Sequence, residues 1–206
     1  MKVYFVRHGE TEDNFDNVHQ TADSKLSEHG IQQATLVAKR FQKIPIDVII
    51  SSDQHRAFTT ASIINSVLQK PLVPNPLLRE IKRPTEIEGK KRKDPEVMKI
   101  KKEIRENWHK ADWHYSDEEN YPELVGRFQQ FINSLTTRKD ENILVVTHGV
   151  TIKMIFLLTL LKEVMSPQLF HIFEHDLYLN NTGITLFEIE DNTWRLITWN
   201  DHAHLG

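Results

Sequence analysis

Three short apolar runs stand out along the chain: Val3–Val6, DVIIS at Asp47–Ser51 and NILVVT at Asn142–Thr147. Each is apolar at consecutive positions, which predicts strands covered on both faces. Between them the apolar residues recur at helical spacing. Ser27 stands where it can cap a helix from Glu28 to Gln42, with Ile31, Ala34, Ala38 and Phe41 on one face. Ser52 is placed to cap the next helix, whose face is Phe58, Ala61, Ile64 and Leu68. Tyr121–Thr137 presents Leu124, Phe128, Phe131 and Leu135, and a further helix starts near Val150. Strand, loop and helix in alternation predict an α/β fold with a largely parallel sheet. Ile184–Ile189 and Trp194–Trp199 flank the turn sequence EDNT and read as an antiparallel hairpin closing the sheet.

The middle of the chain breaks this alternation. Arg79–Lys110 holds twelve Lys/Arg against seven Asp/Glu and includes Pro84 and Pro95, whereas the whole chain carries a net −3. A basic insertion on an acidic body suits an anionic ligand beneath it, and it equally suits a solvated charged helix. The overall balance gives no reason to expect nucleic acid. There is no cysteine, so thiolate chemistry, disulfides and Cys-ligated metals are excluded. The apolar run at the start is too short for a signal peptide, and Met154–Leu161 is far too short to span a membrane. It reads as a buried core helix, and the expected location is cytoplasmic with no membrane partner.

Ligands of open α/β sheets bind beyond the carboxyl ends of the strands. Here those ends carry Arg7-His8-Gly9, then Ser51-Ser52-Asp53 with Arg56 one turn on, then Thr147-His148-Gly149. Glycine lets backbone come close to a ligand, a following helix offers free N–H groups, and arginine forks match phosphate oxygens in pairs. Two His-Gly pairs and two arginines at one sheet edge therefore point to an anion of the phosphoryl type.

The segments VRHGETEDN, SSDQHRAFTTA, LLRE and VVTHGVT resemble the four signature segments of the histidine phosphatase superfamily, the phosphoglycerate-mutase-like phosphatases. KLSEHGIQQA and the terminal NDHAHL are similar to that family as well, so the resemblance runs from Val3 to Leu205. It implies a three-layer α/β/α sandwich with a mostly parallel central sheet and an antiparallel edge. Residues 1–206 would form one domain, with a mainly helical lid inserted at 81–120.

The resemblance also implies a metal-independent phosphomonoesterase without cofactor, acting on a small phosphate ester. His8 would be the nucleophile, and Arg7, Arg56 and His148 would hold the phosphoryl oxygens. Asn14 stands where the family often has a further phosphate contact, and Glu80 matches the proton donor. The chemistry fits these residue types: imidazole attacks only when neutral, and phosphoryl transfer is stabilised mainly by fixed positive charge. A second, protonated histidine at 148 would add to that charge. Lys82 and Arg83 are candidates for meeting charged groups on the substrate, with solvent exposure as the alternative.

A mutase uses the same residues but must keep the phosphoryl group from water. Cofactor-dependent phosphoglycerate mutases carry a Glu-Arg-His-Tyr-Gly segment after the acid, where this chain has IKRPTEIEGKKRK. A non-catalytic module binding phosphorylated ligands is the third reading, and retention of His8 and Glu80 ranks it last. Three other features have simpler readings. HIFEH, His171–His175, matches a zinc-protease pattern, but a helix capped by Ser166 with Pro167 at its first position explains it. KKRK, Lys90–Lys93, reads as an exposed lid face. Trp108, Trp113, His114 and Tyr115 read as aromatic packing in the lid. His19, His29, His55 and His109 are expected at the surface, and the ending with His202 and His204 is expected to be structural.

Overall fold

The computed structural model describes all 206 residues. The strands are β1 (Lys2–Arg7), β2 (Val48–Ser51), β3 (Leu72–Pro74), β4 (Asn142–Thr147), β5 (Ile184–Glu190) and β6 (Thr193–Asp201). The helices are α1 (Glu12–Phe15), α2 (Glu28–Phe41), α3 (His55–Leu68), α4 (Pro95–Asn107), α5 (Tyr121–Thr136), α6 (Gly149–Leu161) and α7 (Pro167–Asp176). All strands join one sheet in the order β3-β2-β4-β1-β5-β6. The first four pair in parallel, and β5 and β6 add an antiparallel edge.

The apolar strands are covered on both faces, as their composition requires. Val3, Phe5, Val48, Ile50, Ile143 and Val145 pack with α5, α6 and Trp108. Tyr4, Val6, Ile49, Leu144 and Val146 face the opposite way, onto α2 and α3. Pairing sets Arg7 opposite Thr147 and Ser51 opposite Val146. The carboxyl ends of β1, β2 and β4 are therefore level, and the residues that follow them share one edge. The hairpin turn lies at Asp191 and Asn192, both at positive φ, the geometry of a two-residue turn of the twisted kind.

The helix faces differ in part from the periodicity. Ile31 is 46% exposed and Phe58 is also exposed. The buried stripe of α2 runs through Gly30, Ala34, Val37, Ala38 and Phe41, and that of α3 through Ala57, Thr60, Ala61 and Ile64. Ile31 and Phe58 each sit one residue, about 100° of helix, off these lines. Ser52 does not cap α3 either. That helix begins at His55 after Gln54, whose side chain makes no capping bond.

Residues 81–120 leave the sheet between β3 and α5 and comprise a 3₁₀ turn at Thr85–Ile87, α4 and ordered loops. Ile87, Val97 and Ile100 form a small core of their own. Trp108 ties the segment down: it is buried, donates from Nε1 to the Glu119 carbonyl at 2.9 Å and packs on Phe170 and Tyr121. A short ladder joins the segment to the loop after α1, with Gly89 N–H on the His19 carbonyl and His19 N–H on the Lys90 carbonyl, both 2.9 Å.

Candidate active site

β1 ends by delivering His8 into the protein, where it is 1% exposed. Its backbone is fixed from two sides. His8 N–H donates to the Thr147 carbonyl at 2.8 Å, and the Asn181 amide donates to the His8 carbonyl at 2.9 Å. The ring's Nδ1 lies 2.7 Å from the Gly9 carbonyl, which can only accept, so Nδ1 carries the proton and Nε2 keeps its lone pair. Burial, then Arg56 and Arg7, hold the ring's pKa well below the ordinary value of 6.5. The sequence expected a neutral, oriented imidazole, and the surroundings of His8 enforce both properties.

Gly9 matters for a different reason from the one expected. A Cβ there would lie 2.5 Å from the Gly30 carbonyl oxygen, so it is the first turn of α2 that needs the room. This contact, with Gly9 N–H on Thr60 Oγ1 at 3.1 Å, locks the loop after β1 against α2 and α3.

His148 follows β4, is fully buried, and its ring centre lies 5.2 Å from that of His8. Its Nε2 is 2.9 Å from the Ser52 hydroxyl. That oxygen accepts from Gln54 N–H, and its own proton has no acceptor other than His148 Nε2. Assigned from this network, the neutral ring carries its own proton on Nδ1, a buried donor without a partner. Burial, Arg56, His8 and Arg7 all press the His148 pKa well below 6.5. The protonated His148 anticipated from sequence is thus replaced by a neutral donor, because burial, and then Arg56 beside it, disfavours the charged ring.

The guanidinium of Arg7 is aimed by Nη1 on the Leu179 carbonyl at 2.6 Å. Arg56, 2% exposed, is aimed by Nη1 on the Thr21 carbonyl at 2.9 Å and by Nη2 on Gln54 Oε1 at 3.2 Å. In both side chains Nε is buried and unpartnered. An unpaired buried donor costs about 1–3 kcal/mol. Three such atoms, Arg7 Nε, Arg56 Nε and His148 Nδ1, belong to the residues whose charge or ring lies beside His8.

Glu80 reaches the same place from the loop after β3. Its carboxylate accepts from Val150 N–H and Thr151 N–H at 3.2 Å, in the first turn of α6, and its own N–H donates to Gln54 Oε1 at 3.1 Å. The two neighbouring cations are occupied elsewhere. Arg79 makes a fork with Asp53, with Nε to Oδ1 at 2.7 Å, and the Lys82 ammonium lies 3.0 Å from Asp117.

A cavity of about 550 Å³ is lined by Arg56, Gln54, Glu80, Val150, Thr21 and the start of the inserted segment, while Arg7, His8 and His148 lie behind that wall, buried. Asn14 does not line it either. The Asn14 side-chain oxygen instead accepts from Thr11 N–H at 3.3 Å in a capping box that closes α1. Lys82 and Arg83 do line the cavity, but both are paired, Arg83 with Glu174 at 3.5 Å.

Two further expectations are corrected here. His19 is not a surface residue: it is 2% exposed and lines the cavity. Within KKRK, Lys90, Lys91 and Lys93 are exposed, but Arg92 turns inward and donates to the Val18 carbonyl. His171 packs on Trp108, ring centres 5.2 Å apart, while the His175 side chain is 90% exposed. His204 binds Thr182 Oγ1 at 3.0 Å, the structural part expected of the chain end.

Sequence reasoning missed Asn181, Gln54 and the tautomer role of Ser52. Thr182, buried at φ 58°, sits next to Asn181 with its N–H on the Arg7 carbonyl. A β-branched residue in the left-handed region is strained, and here the strain holds the loop against the His8 backbone. No local pattern announces such a turn.

The comparisons agree with this architecture. The profile of the Histidine phosphatase superfamily (branch 1) matches residues 3–202. A Hydrogenobacter thermophilus protein named "Putative phosphoserine phosphatase 2" is 31% identical, covering 98% of this chain and 97% of that one. A Proteus mirabilis protein named "Probable phosphoglycerate mutase GpmB" is 29% identical, covering 97% and 90%. The structure of a mutant phosphoserine phosphatase from Entamoeba histolytica in complex with phosphoserine superposes with a TM-score of 0.78 at 28% identity, covering 99% and 98%. The chain belongs to the histidine phosphatase superfamily, branch 1, and is an enzyme of that type.

Proposed function

We propose that the protein hydrolyses a small phosphate monoester through a phosphohistidine on His8. The observation that carries this reading is one neutral, oriented histidine with Arg7, Arg56 and His148 beside it, each keeping a buried polar nitrogen unpartnered. Such free donors are what a phosphoryl group in transfer needs for its oxygens.

In the first half-reaction His8 Nε2 attacks phosphorus. The N–P bond forms as the P–O bond to the leaving group breaks. Glu80, protonated for this step, gives its proton to the departing oxygen. In the second half-reaction water attacks the phosphohistidine, Glu80 takes the water's proton, and inorganic phosphate leaves with His8 restored. Arg7, Arg56 and His148 hold the phosphoryl oxygens throughout. The segment 81–120 acts as the lid.

The names of two relatives support a phosphorylated metabolite as substrate: one is named "Putative phosphoserine phosphatase 2", and a related structure is of a phosphoserine phosphatase in complex with 3-phosphoglyceric acid. The relative named as a mutase keeps phosphoryl return to substrate as the competing reading. One experiment separates them. Wild type is incubated with 4-nitrophenyl phosphate in chelator, and separately with 3-phosphoglycerate, following free phosphate and isomerised product. Phosphate release that His8→Ala abolishes supports the hydrolase; isomerisation without phosphate release overturns it.

A further inference from the structure

A second cavity of about 320 Å³ lies under α4 and shares Ile81, Lys82, Arg83, Arg92 and Glu119 with the first, so the two are contiguous. Its walls add Lys101 and Arg105 from α4 and Glu174 and His171 from α7. The charges do not balance. Glu174 is taken by Arg83 at 3.5 Å, and Glu118 is taken by the backbone N–H groups of Tyr115 and Ser116. Arg92 and Lys101 have no carboxylate within 4.0 Å. Both are partly buried; burial and then Arg83 push both pKa values down, Arg92 adding to the effect on Lys101, against a smaller opposing pull from Glu174 on both and from Glu80 on Arg92. His19, 2% exposed, lines the first cavity together with Arg92, and its Nε2 is buried without a partner. Burial, Arg83, Arg92 and Lys101 hold His19 neutral, near a pKa of about 3. Nε2 of His171 is likewise buried and unpartnered.

Like charges brought together out of water repel strongly unless an anion joins them. We propose that Arg92, Lys101 and His19 form a second anion subsite, which selects phosphate monoesters carrying another anionic group, carboxylate or phosphate, at the far end. The inference rests on the phosphatase reading and names its substrate class. A substrate lying in both cavities places its scissile phosphate at His8 and runs its tail past Arg83 into the space under α4. Lys82, although it lines both cavities, is already paired with Asp117, unlike Arg92 and Lys101.

The test uses straight-chain alkyl phosphates of graded length ending in methyl, carboxylate or a second phosphate. At the best length, the doubly anionic ester should exceed its methyl counterpart by about 10-fold or more in kcat/KM, the effect of a charge-assisted contact. Carboxylate against phosphate tells which second group is read. Lys101→Met and Arg92→Met should each bring that ratio close to one. Lys102→Met, which removes an exposed charge from the same helix, should leave it intact. Calorimetric binding of the matching phosphonates gives the same ratio without turnover, so absence of hydrolysis would count against the phosphatase reading alone. A ratio near one at every length, or a ratio that survives both Lys101→Met and Arg92→Met, overturns the subsite.

Discussion

Glu80 and Ser52 touch the chemistry in different ways, and their variants should separate. Glu80→Gln keeps the shape and the contact to Thr151 N–H but has no proton to give. On an alkyl phosphate it should lower kcat by about 10²–10⁴-fold with little change in KM. Ser52→Ala removes the hydroxyl that fixes the His148 tautomer. The ring can then place its proton on Nε2, leaving Nδ1 to repel the phosphoryl oxygen. A loss of about 10-fold in kcat is expected, with a stability loss of about 1–3 kcal/mol from the partners left unpaired. Unchanged kcat would mean that His148 keeps its donor without Ser52. Arg7, His8, Arg56 and His148 were legible in the sequence because each closes a strand or opens the next helix. Asn181 and His19 were not, since contacts between distant loops leave no local pattern.

At the level of elements, strand ends and close approaches fix the site. Gly30 is the tightest of these approaches. A Cβ there would fall 2.0 Å from the Glu10 carbonyl oxygen, a backbone atom that cannot step aside. Gly30→Ala should cost at least about 2 kcal/mol in urea unfolding and depress turnover with it, because the same contact seats the loop carrying His8. The strands were legible from their composition, and the helices from their spacing. Ile31 and Phe58 misled because a helix read from a few apolar residues can be turned by one position. The inward face of Arg92 was hidden for a related reason: in a run of four basic residues, only the ladder to Asn17 and His19 decides which one turns inside.

The molecule as a whole keeps several histidines neutral in its interior. His8 and His148 lie well below 6.5, His19 near about 3 and His204 near about 4, chiefly through burial. In the unfolded chain all of them bind a proton near pH 6.5. The unfolded state therefore gains protons first, and stability falls as pH drops below about 6.5. Asp53, held low by the Arg79 fork, adds to the loss only below about pH 4. Urea unfolding at pH 7, 6 and 5 should show this slope, and His19→Gln should flatten it by one histidine's share. A stability that is flat over this range would contradict a neutral interior. The same neutrality keeps His8 ready to attack at mildly acidic pH.

The phosphohistidine itself is the central claim, and Glu80→Gln offers the means to trap it. With 4-nitrophenyl phosphate the leaving group departs without a proton, but water attack still needs the base. Rapid quenching followed by peptide mass mapping under neutral conditions should then find the phosphoryl group on His8, lost on brief acid treatment. A phosphoryl group on any other residue, or steady phosphate release with no phosphorylated protein at any time, would contradict the account.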